Sequence, residues 1–163
     1  MDHAAPAIFV AIEQSAYAAA IRQSLWLYPL ANVGHIVSLF CFAGAIAVMD
    51  LRMAGALAAT SPGHVLHIAR RAAVAAFIGL AVTGSMLFAA EASHVVLNPV
   101  FQIKLGLIAL GLANVAYFEI FIAPKVRKLK PLKPLPPQAR RAGILSLIIW
   151  LAVAACGRTI AYF

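Results

Sequence analysis

Residues 25–52 read LWLYPLANVGHIVSLFCFAGAIAVMDLR. From Leu25 to Met49 the run carries no formal charge. One histidine, His35, stands within it, and the run stops at Asp50-Leu51-Arg52. A helix needs about 20 apolar residues to cross the ~30 Å hydrocarbon core of a bilayer. The stretch is long enough, so it places an imidazole where water is scarce and an ionisable group is costly.

Three further segments have the same character. Ala72–Ala90 is uncharged, Leu105–Ala123 is broken only by Glu119, and Ala142–Phe163 carries Arg158 close to its end. Across all 163 residues, 64% are hydrophobic, where a soluble domain is nearer half. The expected fold is all-α: an integral membrane four-helix bundle with spans at about 25–50, 65–92, 99–123 and 142–163. These spans fill the domain 25–163 and leave no room for a second soluble domain.

The remaining 1–24, MDHAAPAIFVAIEQSAYAAAIRQS, opens with Asp2 and His3, and Glu13 and Gln14 interrupt its apolar run. That is not the charge order of a signal peptide. Ile8, Phe9, Ile12, Ala16, Ala19 and Ala20 recur at helical spacing, which predicts an amphipathic helix lying at the bilayer surface. The alternative is a frayed tail.

Charge sets the orientation. The loop PKVRKLKPLKPLPPQARR carries seven of the thirteen basic residues and no acid. The loop after the first span has Arg52, Arg70 and Arg71 against Asp50. Short basic loops stay in the cytoplasm. Both then lie on the same side, with both termini periplasmic in a bacterial inner membrane. The net charge of +8 is thereby explained by topology and anionic headgroups, and nucleic acid is not an expected partner. The prolines of the loop, Pro124, Pro131, Pro134, Pro136 and Pro137, predict an extended crossing. Ser61-Pro62 and Asn98-Pro99 have the form of a helix cap and first turn. Gly44, Gly55, Gly79, Gly84, Gly106 and Gly111 predict close helix packing, within the chain or between copies.

The polar groups in and around the spans are the candidate site. His35 lies one helix turn from Asn32 and Ser38. Asp50, Arg52, Arg70 or Arg71, and Glu119 reach similar depth and are expected to form an ion-pair network. His64 and His67 share a face at the start of the second helix, and His94 follows its other end. There is no HExxH, CxxCH or CxxC, and Cys41 and Cys156 are isolated within spans.

Bundles hold cofactors between facing helices, and imidazole is a common axial ligand of haem iron. A b-type haem needs no covalent motif. On this reading His35 and His94 are the first ligands, for haem or metal, with His67 and His64 for a second site. Arg52, Arg70, Arg71, Lys104 and Arg158 are candidates to neutralise propionates. The competing reading of His35 is an interhelical hydrogen bond to Asn, Ser or Thr, and that of His64 and His67 is a solvated helix end.

The order of features also resembles a known pattern. Tyr28-Pro29, His35, Gly44, Asp50-Leu51-Arg52 and Gly55 are followed by Arg70-Arg71, Thr83-Gly84 and Phe88. Asn98-Pro99, Phe101, Lys104 and Asn114 complete it. This resembles a family of small bacterial four-helix membrane proteins. More loosely, it is similar to the haem- and copper-associated bundles of the cytochrome b561 and copper-resistance D type. The likeness covers roughly residues 20–123 and implies a redox or metal role for His35. Two departures stand against it. Glu119 occupies a place where the pattern often has histidine, and the fourth helix has no histidine.

The expectation is therefore a haem b membrane subunit that carries electrons, more an anchor or carrier than a turnover enzyme. Copper is the less favoured cofactor. The bilayer and a homo-oligomer or larger complex are the expected partners. The rivals are a small metal or solute transporter, using His35, Cys156 and Met86 as soft ligands, and a cofactor-free structural subunit.

Overall fold

The computed structural model describes residues 4–57, 59–130 and 132–162. His3, Pro131 and Phe163, which entered the sequence reading, lie outside them. The described residues contain helices and no strand. In chain order these are α1 (Ala7–Glu13), α2 (Ala16–Gln23), α3 (Leu27–Ala54), α4 (Pro62–Ala90) and α5 (Ala92–Val95). There follow α6 (Pro99–Tyr117), a π turn over Phe118–Ile122, α7 (Ala123–Val126), α8 (Pro137–Thr159) and a 3-10 turn over Ile160–Tyr162.

Four stretches are long and apolar enough to cross a membrane: Leu27–Ala54, Pro62–Ala90, Pro99–Val126 and Pro137–Tyr162. The protein is a multi-pass membrane bundle. Its apolar surface supports this, since Phe40 is 73% exposed, Leu151 69% and Ile120 65%. Side chains of that size left uncovered along whole helices suit lipid rather than water.

The spans begin where their caps dictate. Asn98 accepts hydrogen bonds from the backbone of Val100 at 2.9 Å and Phe101 at 3.3 Å, and Pro99 opens α6. Pro62 opens α4 likewise, although Ser61 makes no side-chain cap bond. Gly55 ends α3 at φ 108°, a left-handed cap that glycine adopts without strain. It therefore serves a turn, not helix packing. Pro137 opens α8 five residues before the expected start. Pro124 lies inside α7. The extended crossing is thus shorter than the prolines alone predict, because proline is tolerated in a first helical turn.

The N-terminal segment forms two helices instead of one. Ser15 separates them: its hydroxyl donates to Ile12 O at 2.6 Å and accepts from Ala18 N at 3.2 Å, ending α1 and capping α2. Both fold over the end of the bundle that carries the termini. Ala18 and Ile21 are buried there, and Phe9 meets the Phe88 ring edge-on at 6.0 Å. Arg22 donates to Ala90 O at 3.0 Å, capping the last turn of α4.

Around the bundle, α3 packs on α4 and on α8, and α8 packs on α3 and α6. Small residues bring these pairs together. A methyl added at Gly79 would lie 2.5 Å from Ser38 Oγ, and one at Gly84 3.2 Å from His35 Cε1. At Gly111 it would lie 2.9 Å from Trp150 Cζ2, and at Gly143 2.8 Å from Met53 Cβ. Gly44 and Gly106 face open space. The ring is not fastened evenly. Helices α4 and α6, which would close it, are not among its extensively packed pairs. They are joined near their ends. Phe88 stacks on Phe101 at 5.5 Å toward the termini. Arg70 reaches Glu119 at the opposite, basic end.

Candidate functional site

His35 answers the question that its position raises. Its Nδ1 lies 2.9 Å from Thr83 Oγ1 on α4. Thr83 Oγ1 itself donates to Gly79 O at 2.6 Å. A hydroxyl has one proton, so it must accept from the imidazole: His35 carries its proton on Nδ1. In a neutral ring, Nε2 is then left with a free lone pair. Thr83 thus fixes both the tautomer and the orientation of His35, as outer partners of ligating histidines do. An unligated interhelical bond has the same form.

The other candidate histidines do not converge on it. His94 is exposed on α5, and His64 and His67 are exposed at the basic end of α4. Among the described residues, no three of His, Cys, Asp and Glu are grouped so as to hold a metal ion. Met86 is half-buried on α4. Lys104 lays its ammonium over α8, where a methyl on Gly157 would be 3.5 Å from Nζ, and its charge acts within range of His35. Arg158 is occupied with Tyr162, donating to Oη at 2.6 Å and covering the ring at 4.9 Å.

The expected ion-pair network is divided. Glu119, carried by the π turn, is 2.5 Å from Arg70 Nη2 and 2.6 Å from Arg127 Nη2. The Arg70 contact is close but off the hydrogen-bonding direction, and Arg70 Nε has no partner among the described residues. Arg127, from the loop side, was not expected in the network. Arg71 is exposed. Arg52 is 1% exposed and donates instead to Thr60 O at 3.0 Å. Asp50 pairs with neither arginine. It is 3% exposed and faces Ser146 of α8, which is equally buried. The hydroxyl is near enough to act on the carboxyl, yet neither Asp50 Oδ2 nor Ser146 Oγ makes a bond of full hydrogen-bond geometry among the described residues.

Asp50 and Ser146 border a cavity of about 160 Å³. Its walls come from α3, α4, α6 and α8, and it lies on the side where α4 and α6 part. Phe42, Phe77 and Trp150 form one end, with Phe42 and Trp150 ring centroids 4.7 Å apart. Asp50, Ser146, Arg70, Asn114 and Glu119 supply its polar atoms. Asn114 is held in place by donating to Ala142 O at 3.1 Å. Trp150 Nε1 is likewise buried without a partner among the described residues. An unpaired buried polar group costs about 1–3 kcal/mol, so several around one void mark a place built for something polar. None of the described residues lining the cavity is a histidine.

Ser146 escapes sequence reasoning because nothing marks it within an apolar span, whereas Trp150 stands out there and reads as a packing residue, which its contacts with Phe42 and Phe77 bear out. Their spacing of four residues puts them on one face of α8, which is the signal that was there to find.

A family model, DUF6644, described as a family of unknown function, matches residues 14–163. The chain belongs to this family. The match includes α2, every span and the whole cleft, so the family describes the bundle as a unit. No curated protein matches the chain, and no solved structure does. The likeness to cytochrome b561 and copper-resistance D bundles therefore rests on the sequence motifs alone.

Proposed function

We propose that the protein is a membrane-embedded binding subunit whose working site is the cleft between α4 and α6. The observation that carries this reading is the set of unpartnered polar atoms, Asp50 Oδ2, Ser146 Oγ and Trp150 Nε1, around one apolar-walled void. Ligand sites have this composition: mostly hydrophobic and aromatic walls with a few placed polar groups. The spacing of α4 and α6 gives a small lipid-soluble molecule a way in from the side. The orientation that fits the basic loops places the cleft in the cytoplasmic half of a bacterial inner membrane, with both termini periplasmic. The role is that of a carrier or a subunit of a larger assembly more than of a turnover enzyme. Native mass spectrometry of protein released from its own membrane tests it. Wild type should retain a small lipophilic molecule that Ser146→Leu, which fills the void, has lost. Equal bare masses for both would refute the reading.

A second reading keeps the electron-transfer role and puts a b-type haem at His35. It is favoured by the Thr83 bond, which leaves Nε2 free to ligate. His35 would supply one axial position, and Lys104 is the cation within range for a propionate. The exposed positions of His94, His64 and His67 leave the second axial position to another subunit or copy. An optical spectrum of oxidised and reduced protein decides it. Reduced bands that vanish in His35→Ala support the haem, and a colourless, fully folded preparation rejects it.

A further inference from the structure

We infer that the cleft receives the ring of a lipid-soluble quinone or its quinol. This rests on reading the cleft as a ligand site and names the class of ligand.

The argument begins with the polar atoms left over. Trp150 Nε1–H is a donor only, and Arg70 Nε–H is a donor only. Ser146 offers a hydroxyl that donates or accepts. Asp50 offers a carboxyl, which accepts when ionised and donates when protonated. All four residues line the same void; the Trp150 and Arg70 N–H groups lack partners among the described residues, and the Asp50 carboxyl and Ser146 hydroxyl face each other without full hydrogen-bond geometry, free to turn to a ligand. A ligand that satisfies them has oxygens able to take donated hydrogen bonds in one state and to give a proton to a carboxylate in another. A quinone carbonyl does the first, and a quinol hydroxyl does the second.

Ser146 and Trp150 are one turn apart on α8 and so offer their polar groups on one face of the helix, toward the same void. The walls suit a flat ring too. Phe42, Phe77 and Trp150 form a mutual cluster, with centroid separations of 4.7, 5.7 and 6.3 Å. Aromatic faces of this kind stack with a planar π-system.

The way in selects for a lipid-soluble molecule. Val74 and Ile78 of α4 and Leu112 of α6 line the cavity and are 53%, 58% and 44% exposed. These residues are shared between the void and the surface that meets lipid. A ring with an apolar tail would enter between them and leave the tail in the bilayer. A water-soluble anion or sugar has no such path and would meet walls that are almost wholly apolar. A compact metal ion would find one carboxylate at Asp50 and a second at Glu119 already paired with two arginines.

Trp150 supplies the test, because the chain has two tryptophans and Trp26 is 73% exposed at the start of α3. Trp26→Phe leaves Trp150 as the reporter. The protein, in nanodiscs of quinone-free phospholipid, is titrated with ubiquinone-1. The expected result is saturable quenching, with Ser146→Ala and Asp50→Asn each weakening it by about tenfold, the factor of one lost hydrogen bond. Ser146→Leu should abolish the saturable part. Alanine at 146 guards against a leucine variant that fails to fold. Quenching that is linear in quinone and identical in all variants would overturn the inference. If native mass spectra then still show another lipophile that Ser146→Leu loses, only the quinone assignment falls. If they show none, the cleft as a ligand site falls with it.

Discussion

His35 Nδ1 lies 2.9 Å from Thr83 Oγ1, and the threonine proton is committed to Gly79 O. The bond therefore runs from imidazole to hydroxyl. It ties α3 to α4 at a point where Gly84 leaves room for the ring. Thr83→Val keeps the shape and removes the acceptor. It should destabilise the bundle by about 1 kcal/mol, within the range found for interhelical hydrogen bonds in membranes. Unfolding in mixed detergent measures this. A Val variant as stable as wild type would mean that the bond contributes nothing.

Glu119 holds two arginines from different segments. All three side chains are partly exposed, so each pair is worth about 0.2–1 kcal/mol at most. Because the carboxylate is shared, the pairs are coupled. Arg70→Gln and Arg127→Gln should be non-additive, with the double variant close to Glu119→Gln. A double-mutant cycle that sums to zero interaction energy would contradict a shared site. Added salt should narrow the gap between wild type and Glu119→Gln.

Glu13 links α1 to the start of α5, accepting from Ser93 N at 2.7 Å and from the Ser93 hydroxyl. The Ser93 hydroxyl and then its backbone N–H hold the carboxyl below its ordinary value. A depressed value means that the contribution is present at neutral pH. It is lost as the pH falls below the usual carboxylate range and through the depressed value. Hydrogen exchange across residues 7–23, corrected for intrinsic rate, should show α1 loosening in acid. Ser93→Ala should move that loosening to higher pH, because the carboxylate loses its hydroxyl donor and keeps only the backbone N–H. An unchanged midpoint would remove Ser93 as the cause.

Gly143 and Gly106 are a matched pair of glycines in spans with opposite surroundings. A methyl at 143 would press on Met53 Cβ and, at 3.0 Å, on Asp50 O, whereas one at 106 meets nothing within 4 Å. Gly143→Ala should cost about 1–3 kcal/mol by overpacking. Gly106→Ala should be neutral or mildly stabilising, since alanine is the better helix former. Thermal unfolding of both in one detergent checks this, and equal effects would mean that α3 yields to α8 freely.

How much of this could be read in advance depends on the kind of signal. The spans were legible because some twenty apolar residues in a row have few other uses. Asn98-Pro99 was legible because capping is local chemistry. The split between α1 and α2 was not, since Ser15 within an alanine-rich run reads equally as a helical residue. Asp50 was singled out but given the wrong company. Its nearest charges along the chain are arginines, while its neighbour in space is a serine on another helix. That pairing depends on which faces of α3 and α8 meet, and apolar spans show little period to fix it. The cleft was invisible for the same reason: it arises from two helices that do not pack.

The π turn over Phe118–Ile122 has a geometric effect on everything that follows it. An ordinary helix turns by about 100° for each residue, and one wider turn resets that count. Were all of residues 118–122 to run on as a regular helix, Ile122 and Val126 would swing off the buried side and Arg127 would be carried away from Glu119. A single-residue deletion within 118–122 would instead remove the residue that the wide turn takes up, leaving a regular third span with the basic end of the bundle still latched.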